Sequence, residues 1–436
     1  MSRVRRSLAG CVGSLSALLG AGVAWADDVP LLADNIVPIE VRQFKPGFSF
    51  NTVFVDVTVC GSASSCRTVP NVLVDTGSTG LMLNREVLDG LELDAVTASD
   101  GRPLSHWASF VSQSIWATMH KARVRIGNIT TEAIPIALYD KPSPSDRLPA
   151  AYLKEDARDW LDRAANGILG ISPQRHVDEG YFVDRRWGGA QAKPAWHSVS
   201  VDQSRQLTNP IAHFPAPYNN GSVIKLFSVE PGGAYATLPG WLGLGVGLPT
   251  YGLFPAAARV ISHELDEAGH FPMKIAGRRF DVLIDSGTNM LALDLAHLEH
   301  PGIHYRGDAD WRYDAPTVTP IELAALCGQR EVKLAQPLHV GPAQALFWGK
   351  LGIAVVPALA ITSRQAAGDT TLGSPFFYGR TVATGLRGTV NPFRQPAPAP
   401  GLHGDVACDE ALDPHSPSPH GYVAYTDDPR SGERPD

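Results

Sequence analysis

Two aspartates occupy near-identical settings in this chain of 436 residues. Asp75 lies in the stretch VLVDTGSTGLML, and Asp285 lies 210 residues later in VLIDSGTNMLAL. Each apolar run is typical of a buried strand that ends at the carboxylate, and each Asp-x-Gly is typical of a tight turn. One such aspartate reads as a turn residue, but two matched copies favour a pair of reactive groups.

Two carboxylates that meet across an interface share one proton, because both cannot ionise cheaply at close range. The ionised member can take a proton from a water molecule held between them. That water attacks a peptide carbonyl while the protonated member stabilises the carbonyl oxygen, and protons later pass to the leaving nitrogen. This chemistry needs no metal and no cofactor, so the sequence predicts neither.

The residues that follow the two aspartates suit this task in the same way. The glycine lets the backbone approach a carboxylate closely, as a residue with Cβ could not. The hydroxyl residue after it can donate a hydrogen bond to the outer carboxylate oxygen. The residue directly after the aspartate is expected to bond across the interface. These supporting residues are Thr76, Gly77 and Ser78 in the first motif and Ser286, Gly287 and Thr288 in the second.

The elements around the two motifs repeat as well. NGILGIS places Gly170 95 residues after Asp75, and TTLGSPFF places Gly373 88 residues after Asp285. Strand-turn-strand patterns precede both aspartates, and helical patterns are few and short. Two landmarks at similar offsets indicate two homologous, strand-rich lobes.

The paired VLVDTGS and VLIDSGT motifs, each followed by an ILG or TLG strand, resemble those of the bilobal pepsin-like aspartic endopeptidases. The stretch from about 51 to 394, which includes NPIAHFPAPYNNGSVIKL, is also similar to a secreted bacterial family related to pepsin. The resemblance implies a mostly β fold of two homologous β-barrel-like lobes with a cleft that holds an extended peptide. It implies Asp75 and Asp285 as the catalytic pair, with Ser78 and Thr288 as their hydroxyl partners.

The chain departs from that family at the flap, the hairpin that closes over the substrate. The family has a Gly-containing hairpin with a tyrosine, whereas this chain has no Tyr between 76 and 138 and no Gly between 102 and 126. The predicted hairpin is WASFVSQSIWATMHKARVRI. We expect Phe110 or Trp116 to cover the cleft, and Ser112 or Gln113 to hydrogen-bond the backbone of a bound peptide.

The predicted organisation is a signal peptide over 1–26, an N-terminal lobe over 27–210, a C-terminal lobe over 211–395 and a Pro-rich tail over 396–436. The end of the first lobe, from about 173, is polar and poorly periodic, as in an insertion or a linker. The tail is rich in Pro, Gly, Asp and His, which favours an extended or loose segment unless Cys408 is bridged.

The first residues have the features of an export signal. Arg3, Arg5 and Arg6 lead into LAGCVGSLSALLGAGV and the small-residue site AWA, which predicts a periplasmic or secreted protein. LAGC also matches a lipoprotein box, but no long apolar stretch precedes Cys11, so soluble export is favoured over a lipid anchor. No later stretch has the roughly 18 to 20 apolar residues of a membrane-spanning helix.

Four cysteines follow the predicted signal peptide, namely Cys60, Cys66, Cys327 and Cys408. An even number in an oxidising compartment favours disulfides. Cys60 and Cys66 flank the short loop GSASS between two strand-like runs, so we expect them to pair, which leaves Cys327 with Cys408. Free buried thiols are the alternative for the second pair.

Composition and missing motifs exclude several other classes of function. The formal charge of −7 and the lack of a basic stripe argue against a nucleic-acid partner. His263 and Glu264 with His270 lack the H-E-x-x-H spacing of zinc peptidases, and LGSPF is not the G-x-S-x-G of serine hydrolases. A glycosidase also uses two carboxylates, but it does not need duplicated Asp-x-Gly turns.

The sequence therefore predicts an exported, monomeric aspartic endopeptidase that acts on peptides or proteins. The alternative is a catalytically inactive pepsin-like protein that binds or inhibits another protein, because a fold does not fix a function. Both aspartates and both hydroxyl partners are present, which argues against the alternative, since a binding scaffold has no chemical reason to carry paired carboxylates.

Overall fold

The structure is a computed structural model that describes a large part of the chain. The described residues are 33–45, 50–61, 65–110, 113–140, 155–156, 161, 164–184, 196–255, 258–293, 304–305, 313–314, 317–341, 352–362, 369–394, 406–408 and 412–427. The predicted signal peptide lies outside them. Among them, no helix is both long and apolar enough to cross a membrane.

The described chain is built almost entirely of strands. In the first half they are β1 (Ile36–Val41), β2 (Val53–Cys60), β3 (Cys66–Asp75), β4 (Thr79–Asn84), β5 (Asp94–Ala95), β6 (Ser105–Ser109), β7 (Gln113–Ile126), β8 (Ile129–Tyr139), β9 (Glu155–Asp156), β10 (Gly167–Ile171), β11 (Tyr181–Asp184) and β12 (Trp196–Ser198). In the second half they are β13 (Gly221–Leu226), β14 (Leu238–Leu244), β15 (Val260–Glu264), β16 (Phe271–Ile275), β17 (Arg278–Ile284), β18 (Leu291–Leu293), β19 (His304–Tyr305), β20 (Tyr313–Asp314), β21 (Thr319–Ile321), β22 (Leu323–Cys327), β23 (Arg330–Lys333), β24 (Leu338–Val340), β25 (Ala360–Thr362), β26 (Asp369–Leu372), β27 (Thr381–Gly385), β28 (Val406–Ala407) and β29 (Tyr422–Thr426).

Helical structure within the described ranges is confined to single turns. The α-helical turns are α1 (Leu248–Tyr251) and α2 (Ser374–Phe377), and the 3-10 turns are Arg85–Leu88, Gln203–Arg205, Pro210–His213 and Pro392–Arg394. Proline at or near the start of several of these turns fits their brevity, because it favours a first helical position but cannot continue a helix.

Six strands close into a ring around the first motif, in the order β2, β3, β10, β4, β8 and β7, with β7 returning to β2. Valine-rich strands suit this arrangement because both of their faces pack against apolar neighbours, and β2 is buried at every position except Asp56. Strand β10 runs between β3 and β4, which places Gly170 beside Asp75.

The second motif has the same local topology. Strand β26 lies between β17, to which it is parallel, and β18, to which it is antiparallel. Strand β18 is in turn parallel to β25, as β4 is to β8. Leu372 pairs with Ile284, and its carbonyl accepts the N–H of Asp285 at 3.0 Å. The predicted mostly β fold, with one strand-rich lobe around each aspartate, is confirmed.

Through the pairing of β1 with β2, the sheet around the first motif continues into strands from distant parts of the sequence, in the order β1, β14, β13, β27, β29 and β15. Its member β29 lies within the segment predicted as a loose tail, and all five residues of β29 are buried. A loose tail was expected only if Cys408 is not bridged, and Cys408 is bridged to Cys327; this part of the tail is a buried strand. The apolar run YVAYT fills a gap between two strands and satisfies their backbone groups, which the Pro-rich composition around it concealed.

Both predicted disulfides are present. Cys60 pairs with Cys66 across the β2 to β3 hairpin, and Cys327 pairs with Cys408, 81 residues further along the chain. The second bond joins the end of β22 to the residue after β28, so it ties the segment that leads to β29 to the second lobe.

Replacement of Tyr425 by alanine tests whether β29 belongs to the core. Its side chain is fully buried, and its ring packs on those of Phe376 and His263 at centroid distances of 5.5 and 6.0 Å. We expect Tyr425→Ala to lower the free energy of unfolding by about 3 to 5 kcal/mol, because truncation of a large buried aromatic residue leaves a cavity. Urea unfolding followed by circular dichroism measures the change.

Leu412→Ala is the control for this measurement. Leu412 lies in the same C-terminal region but is 44% exposed, so its truncation is expected to change the free energy of unfolding by less than about 0.5 kcal/mol. If Tyr425→Ala costs no more than Leu412→Ala, β29 is not part of the cooperative core.

Candidate active site

Asp75 ends β3 and is 6% exposed. The chain turns sharply after it, so two groups of the same motif point back at its carboxylate. The N–H of Gly77 donates to Oδ1 at 2.8 Å, and the hydroxyl of Ser78 donates to Oδ2 at 2.5 Å. These two bonds fix the plane of the carboxylate.

Asp285 follows β17 and is held in the same way. The N–H of Gly287 donates to Oδ1 at 2.8 Å, and the hydroxyl of Thr288 donates to Oδ2 at 2.5 Å. The hydrogen-bond pattern predicted for Ser78 and Thr288 is thus present at both aspartates. Their contribution to any reaction is a separate matter and stays a prediction.

The two motifs bind each other through Thr76 and Ser286. The backbone N–H of Thr76 donates to the Ser286 hydroxyl at 3.1 Å, and the backbone N–H of Ser286 donates to the Thr76 hydroxyl at 2.9 Å. Each hydroxyl then donates onward, from Thr76 to the carbonyl of Ile284 at 3.1 Å and from Ser286 to the carbonyl of Val74 at 2.8 Å. These four bonds are buried and join the two lobes at the aspartates.

The glycines of the motifs bring each lobe against the carboxylate of the other. A Cβ on Gly77 would lie 2.6 Å from Cγ of Asp285, and a Cβ on Gly287 would lie 2.5 Å from Cγ of Asp75. No side chain fits at such distances. Glycine at both positions is therefore required for the two carboxylates to face each other.

The strands that carry ILG and TLG support the two turns from behind. The N–H of Ser172 donates to the carbonyl of Ser78 at 2.9 Å, and the N–H of Ser374 donates to the carbonyl of Thr288 at 2.8 Å. A Cβ on Gly170 would lie 2.8 Å from the carbonyl oxygen of Ser78. The close approach of strand to turn explains the glycine in each of these landmarks.

The electrostatics of the site follow from this geometry. Burial raises the pKa of Asp75 well above its usual value, and the neighbouring Asp285 raises it further through charge repulsion and a hydrogen bond between the two side chains. The bonds from Ser78 and Gly77 act in the opposite direction but are weaker influences. The pair therefore keeps a proton at a pH where an isolated carboxyl group has lost it.

A cleft of about 740 Å³ opens above the two carboxylates, and residues of both motifs line it. The lining residues from the first lobe include apolar side chains, such as Met82, Ile115 and Leu207, as well as polar ones. No cluster of three or more His, Cys, Asp or Glu side chains that could hold a metal ion occurs in the part of the chain that the structure describes.

The predicted flap is the hairpin of β6 and β7, with Trp107 opposite Trp116. Phe110, the residue directly after β6, lines the cleft. Trp116 does not line it, and its ring packs instead on those of Phe182 and Trp196 at 5.2 and 4.7 Å. Of the two residues expected over the cleft, Phe110 rather than Trp116 lines it, because this aromatic cluster occupies the side chain of Trp116.

Two further flap residues were predicted. Ser112 lies outside the described residues. Gln113 begins β7, but its side chain is outside the described part of the structure. The predicted hydrogen bonds from these two residues to a peptide backbone therefore stay predictions.

The flap hairpin is not a free arm. Strand β11 pairs with β6, with Tyr181 opposite His106, and β12 pairs with β11. These two strands belong to the polar stretch after 173 that was interpreted as an insertion or linker. The aromatic cluster around Trp116 adds side-chain contacts between β7, β11 and β12.

Sequence reasoning did not identify His106 and Asn51, which lie near the site. His106 of β6 lines the cleft and is buried, and this burial lowers its pKa to about 4, so the ring is neutral above that pH. Asn51 is fully buried and lies at the boundary between the lobes: its amide donates to the carbonyls of Asn289 and Val356 and accepts from the Tyr378 hydroxyl. In the sequence, the only sign of this role is that Asn51 is a polar residue just before the apolar run of β2.

Comparison with known proteins gives a family and a structural likeness. The family model described as "Protein of unknown function (DUF3443)" matches residues 32–399. No curated protein sequence matches the chain. A solved structure, "Crystal structure of aspartic proteinase from Irpex lacteus", is similar at 14% sequence identity and a TM-score of 0.47, over 80% of this chain and 93% of that chain.

Replacement of Thr76 by valine tests the bonds between the motifs. The variant keeps the size of the side chain but leaves the buried N–H of Ser286 without its acceptor. We expect the free energy of unfolding to fall by about 1 to 3 kcal/mol, the usual cost of a buried unsatisfied donor. Thr130→Val, at an exposed position of β8, is the matched control and should change it by less than about 0.5 kcal/mol. Equal losses in the two variants would contradict the role given to Thr76.

The raised pKa of Asp75 predicts how the free energy of unfolding changes with pH, and in which direction. In the native state the carboxyl binds a proton more tightly than in the unfolded chain, so its contribution to stability decreases as pH rises from about 4, the usual pKa of Asp, through the raised value. Asp75→Asn removes this contribution. The unfolding free energy of Asp75→Asn minus that of the wild type is therefore expected to increase over this pH range. A difference that stays flat or decreases would show that the pKa is not raised.

Proposed function

We propose that this chain, which belongs to the DUF3443 family, is an exported aspartic endopeptidase in which Asp75 and Asp285 activate a water molecule. The observation that carries the proposal is the pairing of the two carboxylates. Asp75 is buried and Asp285 is partly buried. Each is held by the glycine N–H and the hydroxyl of its own motif and lies against the glycine of the other motif.

The proposed reaction uses the single proton that the pair retains. The ionised carboxylate takes a proton from the bound water, whose oxygen attacks the carbon of the peptide carbonyl. The protonated carboxyl group donates to the carbonyl oxygen as negative charge develops on it. The carbon–nitrogen bond then breaks as the amine nitrogen receives a proton from the pair. One water is consumed, and a carboxylic acid and an amine are released.

The neighbouring groups support this sequence of steps. Oδ2 of each aspartate is occupied by a hydroxyl, and Oδ1 accepts a backbone N–H, so neither carboxylate can rotate freely. Fixed donors and acceptors of this kind reduce the reorganisation that the reaction would otherwise require. The cleft between the lobes offers room for an extended peptide, with Phe110 at the flap and apolar residues below it.

The proposal also covers the cellular location and the oligomeric state of the protein. Two disulfides fit an oxidising compartment, and the N-terminal Arg-rich and apolar pattern supports delivery to the periplasm or the medium by a signal peptide. Both aspartates come from one chain, so we propose a monomer that has no need of a second copy to complete its site.

One observation favours the alternative, a pepsin-like protein that binds another protein without cleaving it. The flap hairpin lacks the usual tyrosine and is tied to β11 and β12, so it differs from the free hairpin expected over a substrate. The paired and fully hydrogen-bonded carboxylates favour the peptidase, because a scaffold gains nothing from their repulsion.

The test of the proposed function is cleavage of a peptide library at acidic pH. We expect the wild type to cleave and to be inhibited by a transition-state-mimicking peptide such as pepstatin. We expect Asp75→Asn and Asp285→Asn each to lower the rate by a factor of about 100 to 10,000 or more, the usual contribution of a general acid or base. Product peptides are identified by mass spectrometry.

Asp56→Asn and Asp281→Asn are matched controls, because each is an exposed aspartate on a strand of the same lobe as one of the pair. Both should retain wild-type rates. Absence of cleavage by folded wild-type protein across acidic and neutral pH would reject the peptidase and favour the binding protein. Equal loss of activity in the control variants would show that the loss does not come from the pair.

A further inference from the structure

One corner of the cleft is made by two loops of the C-terminal part of the chain. Arg387 follows β27, His420 precedes β29, and both line the cleft that contains the two aspartates. The loops touch: the N–H of Gly388 donates to the carbonyl of Ser418 at 2.7 Å, and a Cβ on Gly421 would lie 3.4 Å from the backbone nitrogen of Arg387. The corner is therefore a single, connected surface.

The backbone of Arg387 is firmly held, independently of its side chain. Its N–H donates to the carbonyl of Pro173 at 2.8 Å, and its carbonyl accepts from Nε of Arg175 at 2.9 Å. Pro173 directly follows the NGILGIS strand that supports the first motif. The position of Arg387 relative to the cleft is thus fixed by both lobes.

The guanidinium of Arg387 is poorly satisfied. Nη2 makes a long bond of 3.4 Å to the backbone carbonyl of Glu267, and the buried Nε has no hydrogen-bond partner among the described residues. The ring of His420 is in a similar state, since its buried Nδ1 also has no partner in the described part of the chain. Polar groups that are removed from water without a partner are costly, unless a ligand supplies one.

Nearby acids do not neutralise the corner. Glu267 has an exposed side chain and reaches Arg387 only through its backbone carbonyl. The Asp266 carboxylate accepts the backbone N–H groups of Ala268 and His270 at 3.0 and 2.8 Å. Within the described ranges, no ion pair joins Arg387 or His420 to either carboxylate. Glu179 also lines the cleft, but no ion pair of the described residues includes Arg387, so its guanidinium charge has no direct partner there.

We propose that Arg387 and His420 bind a carboxylate of the substrate. A planar guanidinium presents parallel N–H donors that match the two oxygens of a carboxylate, and a histidine ring nitrogen adds a further contact. The carboxylate comes from a Glu or Asp side chain of the peptide or from its C-terminus. The inference names the substrate class of the site and rests on the proposed function only in so far as the ligand is a peptide.

The first experiment compares the cleavage of matched peptides at about pH 6, where Glu side chains are ionised. Glu is scanned against Gln along a peptide that the enzyme cleaves, and each peptide is made with a free and with an amidated C-terminus. We expect kcat/KM to be about tenfold higher for Glu than for Gln at one position, or for the free acid over the amide, corresponding to about 1.4 kcal/mol. The two comparisons distinguish the side chain from the C-terminus.

Three variants locate the preference. Arg387→Gln should reduce it to less than about twofold, and Arg387→Lys, which keeps the charge but loses the fork geometry, should give an intermediate value. Arg279→Gln removes a charge at an exposed position of β17 and should leave the preference unchanged. Because the contacts of Arg387 to Pro173 and Arg175 use backbone atoms, the Gln variant is expected to fold, and its unfolding transition checks this.

The second experiment measures binding without cleavage. Folded Asp285→Asn protein is titrated with the same peptides, labelled for fluorescence anisotropy, with and without the Arg387→Gln change. We expect the acidic peptide to bind about tenfold more tightly than its neutral partner, and we expect this ratio to shrink at high salt and in the double variant. His420→Gln should lower the ratio by a smaller factor.

These measurements separate the two proposals. If no peptide is cleaved but the binding preference is present and depends on Arg387, the carboxylate site stands and the peptidase proposal fails. If peptides are cleaved but neither an acidic side chain nor a free C-terminus is preferred, the peptidase stands and the carboxylate site is rejected. A preference that Arg279→Gln reduces as much as Arg387→Gln also rejects it.

Discussion

The reciprocal hydrogen bonds between Thr76 and Ser286 are the interaction on which the arrangement of the site depends. They hold two carboxylates together that would otherwise repel, and two unit charges about 4 Å apart repel by about 4 kcal/mol at an effective dielectric constant of about 20. Four buried bonds, each contributing about 0.5 to 1.5 kcal/mol, are of the same size. Retention of one proton by the pair removes most of the remaining repulsion. The raised pKa of Asp75 and the hydrogen bonds that join the lobes therefore both follow from the close approach of the two carboxylates.

Glycine is the second part of this constraint, because it sets how near the backbone of one lobe approaches the other. Gly77 and Gly287 face the opposite carboxylates, while Gly170 and Gly373 let the supporting strands reach the turns. The same four positions were conspicuous in the sequence as D-x-G, ILG and TLG. Each of these glycines therefore marks a position in the sequence where two backbone segments come into contact. This is why a repeat of short motifs was enough to predict that the strand topology repeats.

What could be predicted from the sequence is what local pattern and repetition encode. The mostly β fold and both disulfides were predicted and are present, and the hydrogen bonds around Asp75 and Asp285 are those expected. Strand β29 was missed because its partners lie in distant parts of the chain and its flanks have the composition of a loose segment. The choice between Phe110 and Trp116 stayed open, and Arg387 and His420 went unnoticed, for a related reason: only long-range packing decides which side chains reach the cleft, and spacing along the sequence does not reveal it.

The strands that flank the flap have a consequence for how a substrate gains access. A hairpin that stands alone can swing on its two ends, but here outward movement of β6 would separate it from β11 and disturb the packing of Trp116 on Trp196. Under the proposed function, opening of the flap would therefore require local unfolding of this small sheet. Under the proposed function, a flap restrained in this way would favour peptides that are short or already extended over loops on the surface of a folded protein.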